Sequence, residues 1–247
     1  YLLALGAALF IAIDSGHGSL AVIATSAAFM LFCGLMAIAA PLIAGLPQGA
    51  LARRLQHVRW MQRLLAMDYP DLHILVIDDG SDDDTAQIVR GLDAPQIHLL
   101  QRHLPNARLG KGEALNAAFA HIRAGNLCDV SDPENVLIVV VDADGRMEPD
   151  SLRYVIPAFE DPTLGGVQIG VRINNRTNNL LARMQDMEFV LYTEVFQRAR
   201  VRLRTPGLGG NGQFVRLSTL ETLGDKPWSQ SLTEDLDLGV RILINGY

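Results

Sequence analysis

The sequence predicts an α/β domain in which helices cover a mostly parallel β-sheet. Short β-rich runs alternate with segments of helical periodicity between residues 51 and 141, an order typical of parallel sheets with helical crossovers. Two of the predicted strands end in acidic residues, Asp78-Asp79 and Asp142-Ala143-Asp144. A third observation is that the apolar residues are concentrated in the first forty-odd positions, so the remainder has the composition of an ordinary globular domain.

The first half of the domain contains a helix, a strand and a second helix. Apolar positions recur at helical spacing over residues 51–67, and Tyr69-Pro70 ends that pattern. A strand is predicted over residues 72–77. We expect Ser81 and the aspartates up to Asp84 to form the N-cap of a helix that reaches about Arg90.

The second half repeats the alternation. A strand is predicted over residues 97–100, and Gly110-Lys111-Gly112 precedes a predicted helix over residues 113–123. Residues 136–141 are a nearly unbroken apolar run, which predicts a strand buried on both faces.

The overall charge and the cysteines exclude several functional classes. The formal net charge of −6 gives no electrostatic reason to expect nucleic acid as a partner. Cys33 and Cys128 are far apart and belong to no Cys/His cluster, so we expect two reduced thiols and no zinc site.

The N-terminal segment, residues 1–45, is predicted to lie in a membrane. Leu20 to Ala44 contains no charged residue and is long enough for a spanning helix of about 20 residues. Tyr1 to Ile13 is apolar but shorter, so we expect a hairpin whose first span is truncated. A signal peptide and a buried core helix are the alternatives.

The orientation follows from basic residues after the second predicted span. Arg53, Arg54 and Arg59 come directly after it, and the positive-inside rule then places residues 46–247 in the cytoplasm. We therefore expect a cell-membrane protein, anchored by a hairpin or by several spans.

The acidic strand ends indicate a ligand site. Ligands of open α/β sheets bind at the carboxyl ends of the strands, and clustered carboxylates need a cation or hydrogen-bond donors between them. Mg²⁺ usually binds through one or two carboxylates plus substrate phosphates, which fits Asp142 and Asp144. For Asp78-Asp79-Gly80-Ser81, a strand-to-helix turn with a capping acid is an equally good interpretation.

Two further segments carry residues suited to chemistry. Thr233-Glu234-Asp235 starts an amphipathic segment, either as a helix cap or as the position of a general base. Gly207 to Phe214 contains closely spaced glycines, which indicate a turn or the close approach of backbone to a ligand.

The motifs together resemble glycosyltransferase family 2. The segments that carry the resemblance are, in chain order, Val76 to Ser81, Gly110 to Asn116, Asp142-Ala143-Asp144 and Thr233-Glu234-Asp235. They are similar to the branch that contains cellulose, chitin, hyaluronan and poly-N-acetylglucosamine synthases, and they cover residues 51–247. The resemblance implies a GT-A fold and an inverting transfer from a nucleotide-diphosphate sugar, with a UDP-sugar as the expected donor.

The resemblance also implies roles for individual residues. Those implied to bind the nucleotide sugar are Asp78, Asp79, Lys111 and Asp142. Asp144, with Asp142, matches the family's metal motif for Mg²⁺ or Mn²⁺, and Asp235 matches its catalytic base, supported by Glu234. The glycine segment with Gly210, Asn211, Gln213 and Arg216 resembles the family's acceptor-side loop.

Departures from the family pattern leave alternatives open. Pro41 to Gly49 is either a diverged form of the family's first nucleotide-binding strand or a sign that the strand is missing. No Gln-x-x-Arg-Trp motif occurs before Tyr247, so we expect a C-terminal truncation and leave processivity open.

Polysaccharide synthesis with a saccharide acceptor is the expected function. A polyprenyl-phosphate sugar synthase with a lipid-linked acceptor, or an inactive nucleotide-binding membrane subunit, is the alternative.

Two more features have a simple structural interpretation. Arginines alternate at positions 198, 200, 202 and 204, which is typical of a solvated face, with an element lying against anionic headgroups as the alternative. Trp60 and Trp228 are expected to be packing residues.

Overall fold

The computed structural model describes residues 58, 60–67, 69–143 and 145–247. These residues belong to one compact unit, Arg54–Tyr247. Within these ranges no helix is both long enough and apolar enough to cross a bilayer. The predicted membrane segment, the Pro41 to Gly49 segment and Asp144 lie outside the described residues.

Five strands and seven α-helices form the described elements. The strands are β1 (Ile74–Asp78), β2 (Ile97–Gln101), β3 (Leu137–Val140), β4 (Gly166–Gln168) and β5 (Gln213–Arg216). The helices are α1 (Thr85–Arg90), α2 (Lys111–Arg123), α3 (Ser151–Val155), α4 (Leu180–Leu191), α5 (Arg198–Arg202), α6 (Leu217–Thr222) and α7 (Glu234–Ile244). A π-helical segment, Tyr192–Gln197, joins α4 to α5 without a break, and residues 60–65 are also helical.

The strands form one parallel pair and one antiparallel sheet. β1 and β2 are parallel, with Ile74 opposite Ile97 and Asp78 opposite Gln101. The second sheet has the order β3-β5-β4, and β5 is antiparallel to both of its neighbours. The α/β class is confirmed, but the prediction of a mostly parallel sheet holds only for the β1–β2 pair of the described strands.

The most deeply buried strand is one that the hydropathy pattern does not reveal. All four residues of β5 are buried, whereas in β3 only Val140 is buried and the other three are half-buried. The strand predicted over residues 136–141 is confirmed as β3, but the prediction that it is buried on both faces is wrong. β5 was missed because Gln213 and Arg216 flank only two apolar residues, and its position between two partners becomes visible only in the tertiary fold.

The start of α1 agrees with the prediction at Asp84 and differs from it at Ser81. The helix begins at Thr85 with Asp84 as N-cap residue, but the capping hydrogen bond is not made by the Asp84 side chain. Instead, Asp83 Oδ1 accepts a hydrogen bond of 3.0 Å from the Thr85 backbone amide. Ser81 lies in the turn after β1, where its amide binds Asp78, so it cannot act as the cap.

Two hydrophobic clusters hold the fold together. In the first, α2 packs through Leu115 and Phe119 against Trp228 and against α7. Trp228 is 2% exposed and its ring meets that of Phe119 edge-on at 6.4 Å, which confirms it as a packing residue. The second cluster joins β1, β5 and the segment around α3. Residues of α2 and α7 belong to the same cluster, and the N-termini of both helices contribute to the site described next.

Candidate active site

Asp78 lies at the carboxyl end of β1 and is almost completely buried. It is 1% exposed, and its Oδ1 accepts a hydrogen bond of 2.8 Å from the Ser81 amide. The other carboxylate oxygen accepts one of 3.2 Å from the Gln101 side chain, on β2. Both oxygens of Asp78 therefore have partners within the protein.

Asp79 is held by two arginines from the segment after β2. Arg102 forms an ion pair of 2.5 Å with its Oδ1, and the Arg108 backbone amide donates a hydrogen bond of 3.1 Å to its Oδ2. The Arg108 guanidinium binds the Gly80 carbonyl oxygen with a shortest distance of 2.6 Å. These arginines supply the positive charge that the acidic cluster requires. Both were missed in the sequence analysis, although Arg102 follows the strand predicted over residues 97–100 by only two residues.

Asp142 follows β3 and is more open than Asp78. Its Oδ1 accepts a hydrogen bond of 2.7 Å from Lys111 Nζ, and 40% of its side-chain surface is exposed. The same ammonium group donates to the Gly210 carbonyl oxygen at 3.1 Å. Lys111 is the first residue of α2, so this one side chain connects the helix, the acidic strand end and the glycine segment.

The glycine segment is held in place by amide side chains. Asn211 Oδ1 accepts a hydrogen bond of 3.2 Å from the Asp142 backbone amide. The side chain of Gln168, at the end of β4, donates a hydrogen bond of 2.8 Å to the Asn211 carbonyl oxygen. It accepts another, of 2.7 Å, from the Gly209 amide. Gly145 comes so near that a Cβ there would lie 3.0 Å from Asn211 Oδ1. Gln168 was missed by sequence reasoning, which had no pattern to single it out.

Asp235 lies beside Gly210 at the start of α7. A Cβ on Gly210 would be 3.3 Å from Asp235 Oδ2 and 3.0 Å from Lys111 Nζ. Gly210 therefore allows the carboxylate and the ammonium group to approach the same stretch of backbone. Asp235 Oδ1 accepts a hydrogen bond of 2.8 Å from the Leu236 amide. The first turn of a helix stabilises such carboxylates, and Glu234, also in this turn, is buried.

The other residues of the Gly110 to Asn116 motif hold the chain that leads to α7. The Asn116 side chain donates a hydrogen bond of 2.7 Å to the Trp228 carbonyl oxygen and accepts one of 3.0 Å from the Trp228 backbone amide. Glu113 accepts hydrogen bonds of 3.1 Å from Lys226 and Gln230, and these bonds lower its pKa. A Cβ on Gly112 would lie 2.2 Å from the Ser229 carbonyl oxygen. The motif thus fixes the segment that carries Asp235.

Two residues predicted for the acceptor side, Gln213 and Arg216, are buried in the interior of the domain. Gln213 is 0% exposed in β5, and neither atom of its side-chain amide has a hydrogen-bond partner. Arg216 donates to the carbonyl oxygens of Phe159, at 2.8 Å, and Asp161, at 3.2 Å. The structure therefore brings Lys111, Asp142, Gly210, Asn211 and Asp235 together, while Arg216 ties β5 to the segment after α3.

The described residues of the site offer few side chains that could be ligands of a divalent cation. Among the described residues, no group of three or more His, Cys, Asp or Glu side chains could hold a metal ion. Asp142 offers an exposed carboxylate with one oxygen bound to Lys111. A single open carboxylate fits the usual Mg²⁺ site, in which substrate phosphates provide further ligands.

Comparison with known proteins agrees with the motif pattern. The family model described as "Glycosyltransferase like family 2" matches residues 53–247. The Beta-monoglucosyldiacylglycerol synthase of Synechocystis sp. is 35% identical over 190 residues, which cover 74% of this chain and 36% of that protein. The enzyme of the same name from Trichormus variabilis is 32% identical over 187 residues, covering 73% of this chain and 37% of that one.

A third relative is the probable glycosyltransferase YdaM of Bacillus subtilis. It is 27% identical over 194 residues, which cover 76% of this chain and 43% of YdaM. The chain thus spans about two fifths or less of the length of these relatives. The family model covers most of the chain and its matched region includes every motif of the site, so this chain belongs to glycosyltransferase family 2.

Proposed function

We propose that the chain transfers a sugar from a nucleotide-diphosphate sugar to a hydroxyl group of a lipid acceptor, with inversion at the anomeric carbon. The observation that supports the chemistry is the convergence of Asp142, Lys111 and Asp235 on Gly210. This arrangement places cationic and anionic groups at one edge, as the transfer of a negatively charged leaving group requires.

In the proposed reaction, Asp235 is the general base. Its carboxylate takes the proton of the acceptor hydroxyl while that oxygen attacks the anomeric carbon. The bond between this carbon and the phosphate oxygen breaks, and the nucleoside diphosphate leaves with the electron pair. Lys111 Nζ lies 2.7 Å from Asp142 Oδ1, and its ammonium group is proposed to offset negative charge on a diphosphate bound beside Asp142.

Asp142 and Asp144 are the proposed ligands of Mg²⁺ or Mn²⁺. When bound, the cation would stabilise the negative charge of the diphosphate. Asp79 is proposed for the nucleotide, and Asp78, whose two oxygens have partners within the protein, would hold the turn that carries it. Of these two, Asp79 is the more exposed, with 29% of its side-chain surface accessible.

The lipid acceptor is proposed from the names of the relatives. Two of them are synthases of a monoglucosyldiacylglycerol, so their product is a glycolipid. This favours the lipid alternative over the polysaccharide synthesis predicted from the motifs, which remains a hypothesis to be tested with a saccharide acceptor. A membrane location with a cytoplasmic catalytic domain stays a prediction from residues 1–59.

The test combines donor binding with product analysis. Calorimetry with UDP and a series of UDP-sugars, with and without Mn²⁺, should give metal-dependent binding that Asp144→Ala removes. The purified chain would then receive the bound donor together with diacylglycerol, polyprenyl phosphate or an oligosaccharide. A diacylglycerol glycoside made by the wild type but not by Asp235→Asn is the expected result.

Other outcomes have separate meanings. Elongation of the oligosaccharide, with no lipid product, would contradict the lipid acceptor and support a polymer synthase. Glycosylation of polyprenyl phosphate alone would identify a lipid-carrier enzyme. Folded protein that binds no nucleotide would contradict the enzymatic proposal as a whole and favour the inactive subunit.

A further inference from the structure

Residues 180–202 form one continuous helix with two different sides. It comprises α4, the π-helical segment and α5, and its length is about 35 Å at the usual rise per residue. Ala182, Asp186 and Gln197 are buried against the rest of the domain. Asp186 is anchored by Arg172, with hydrogen bonds of 2.9 and 2.6 Å. The helix is therefore fixed to the domain on one side only.

The opposite side carries a row of exposed apolar residues, which we call the apolar row. They are Leu180, Met184, Met187, Leu191 and Val195, each between 40% and 72% exposed. Their spacing of three or four residues places them along one face of the helix. Large side chains lined up in this way are costly in water and mark an interaction surface.

The charges around the apolar row are mostly positive. Residues 172–204 contain seven arginines and three acidic residues, whereas the whole chain has a net charge of −6. Arg198 and Arg202 are exposed in α5. An amphipathic helix with arginines beside its apolar face is the pattern of an element that lies in the plane of an anionic bilayer surface.

This helix is directly connected to the glycine segment of the candidate site. Gln197 donates a hydrogen bond of 2.8 Å to the Gly207 carbonyl oxygen and accepts one of 3.1 Å from the Gly207 amide. Gly210, beside Asp235, lies three residues further along the chain. A surface that binds the apolar row would therefore lie close to the proposed acceptor side.

We propose that the apolar row and the arginines of α5 dock residues 180–202 onto an anionic lipid surface. A second copy of the chain fits less well, because a two-fold contact through this face would bring like-charged arginines together. Docking itself does not require the proposed reaction. Only its use, to bring a membrane-held acceptor to Asp235, rests on the proposed function.

The test reports the environment of single residues in the full chain. Cys33 and Cys128, the only cysteines, are replaced by Ser, and one new cysteine carries an environment-sensitive fluorophore. Met187→Cys places it on the apolar row. Tyr154→Cys is the control, because Tyr154 is 77% exposed on α3, outside the row. The chain is reconstituted in phosphatidylcholine vesicles with or without phosphatidylglycerol, and quenching by spin-labelled lipids is measured.

The expected result is lipid quenching at position 187 that is several-fold stronger than at position 154 and that increases with phosphatidylglycerol. Equal quenching at both positions would overturn the proposal. A reporter at position 187 that is shielded from water but not quenched by lipid would also overturn it, and would assign the face to a second copy or to another part of the chain.

A charge variant tests the contribution of the arginines. Arg198→Gln with Arg202→Gln should reduce quenching at position 187 in anionic vesicles to the level seen with phosphatidylcholine alone. The matched control removes the same charge at exposed arginines elsewhere, with Arg63→Gln and Arg90→Gln, and should leave the quenching unchanged. These readouts need no turnover, so docking with no lipid product would contradict only the proposed acceptor.

Discussion

Two strand ends of this molecule carry acidic residues, and the carboxylates at the two ends differ in burial and in hydrogen-bond partners. After β1, the buried carboxylate of Asp78 has both oxygens hydrogen-bonded, and Asp79 is paired with Arg102. After β3, the Asp142 carboxylate is 40% exposed and has Lys111 as its side-chain partner. Asp78 is part of the folded framework, whereas Asp142 retains the capacity to bind a ligand.

The magnitudes of the interactions support this difference. A buried hydrogen-bonded group that loses its partner costs about 1–3 kcal/mol. A half-exposed ion pair such as Lys111–Asp142 is worth about 0–1 kcal/mol. Substitution of Asp78 should therefore reduce stability, while substitution of Asp142 should reduce activity.

The largest effect is expected at Asp235, which lies beside Gly210 and Lys111, the partner of Asp142. Asp235→Asn keeps the shape of the side chain but removes the proposed base, so kcat should fall by about 10²–10⁴-fold. Steady-state kinetics measures this, with Leu232→Ser as a control because Leu232 is almost fully exposed. A variant that retains most of its kcat would exclude Asp235 as the base.

A smaller loss of activity is expected at Asp142. Asp142→Asn removes a negative charge from the proposed metal and diphosphate site, so kcat/KM should fall on the order of 10²-fold. Because the ion pair with Lys111 is half-exposed, Tm should change by no more than about 3 °C. Kinetics and thermal unfolding of the same preparation measure both quantities. A large fall in Tm with little loss of activity would contradict the comparison.

Asp78→Ala should reduce stability, in contrast to Asp142→Asn, which should mainly reduce activity. It leaves the Ser81 amide and the Gln101 side chain without their acceptor, so the free energy of unfolding should fall by about 1–3 kcal/mol. Thermal and urea unfolding measure this loss, with Asp82→Ala, at an exposed position, as the control. An unchanged stability would mean that the carboxylate is not part of the framework.

The smallest effect concerns Asp186, which anchors the 180–202 helix. Hydrogen bonds from Arg172 lower the pKa of Asp186 from 3.8 to about 2. Because the folded pKa is the lower one, this stabilisation is complete above about pH 4 and is lost as the pH falls towards 2. Arg172→Met should lower Tm by a few degrees, on the order of 3 °C, at neutral pH.

The pH dependence provides the check on this prediction. The difference in Tm between wild type and Arg172→Met should be constant from pH 5 to 7 and should shrink below pH 4. A difference that persists unchanged at the lowest pH at which both proteins fold would exclude the ion pair as its cause. Arg63→Met is the control, because Arg63 is exposed and is not among the groups that lower the pKa of Asp186.

Local sequence patterns predicted several of the strands and helices. The strands β1 and β2 and the helix α2 were found within about two residues of their observed bounds. Most apolar residues of α2 are buried, whereas the residues of β2 are only half-buried. The acidic strand ends and the start of α7 were also found from the sequence, since each combines a periodic segment with an adjacent polar cluster.

The sequence by itself determined the family, the α/β class and most of the residues that meet at Gly210. Only the tertiary structure decided that β5 is the buried central strand, that Asp78 is sealed while Asp142 is open, and that Gln168 and Gln197 hold the glycine segment. The physical reason is that burial and hydrogen-bond partners depend on residues 10 to more than 100 positions apart in the chain, and no local pattern encodes such contacts.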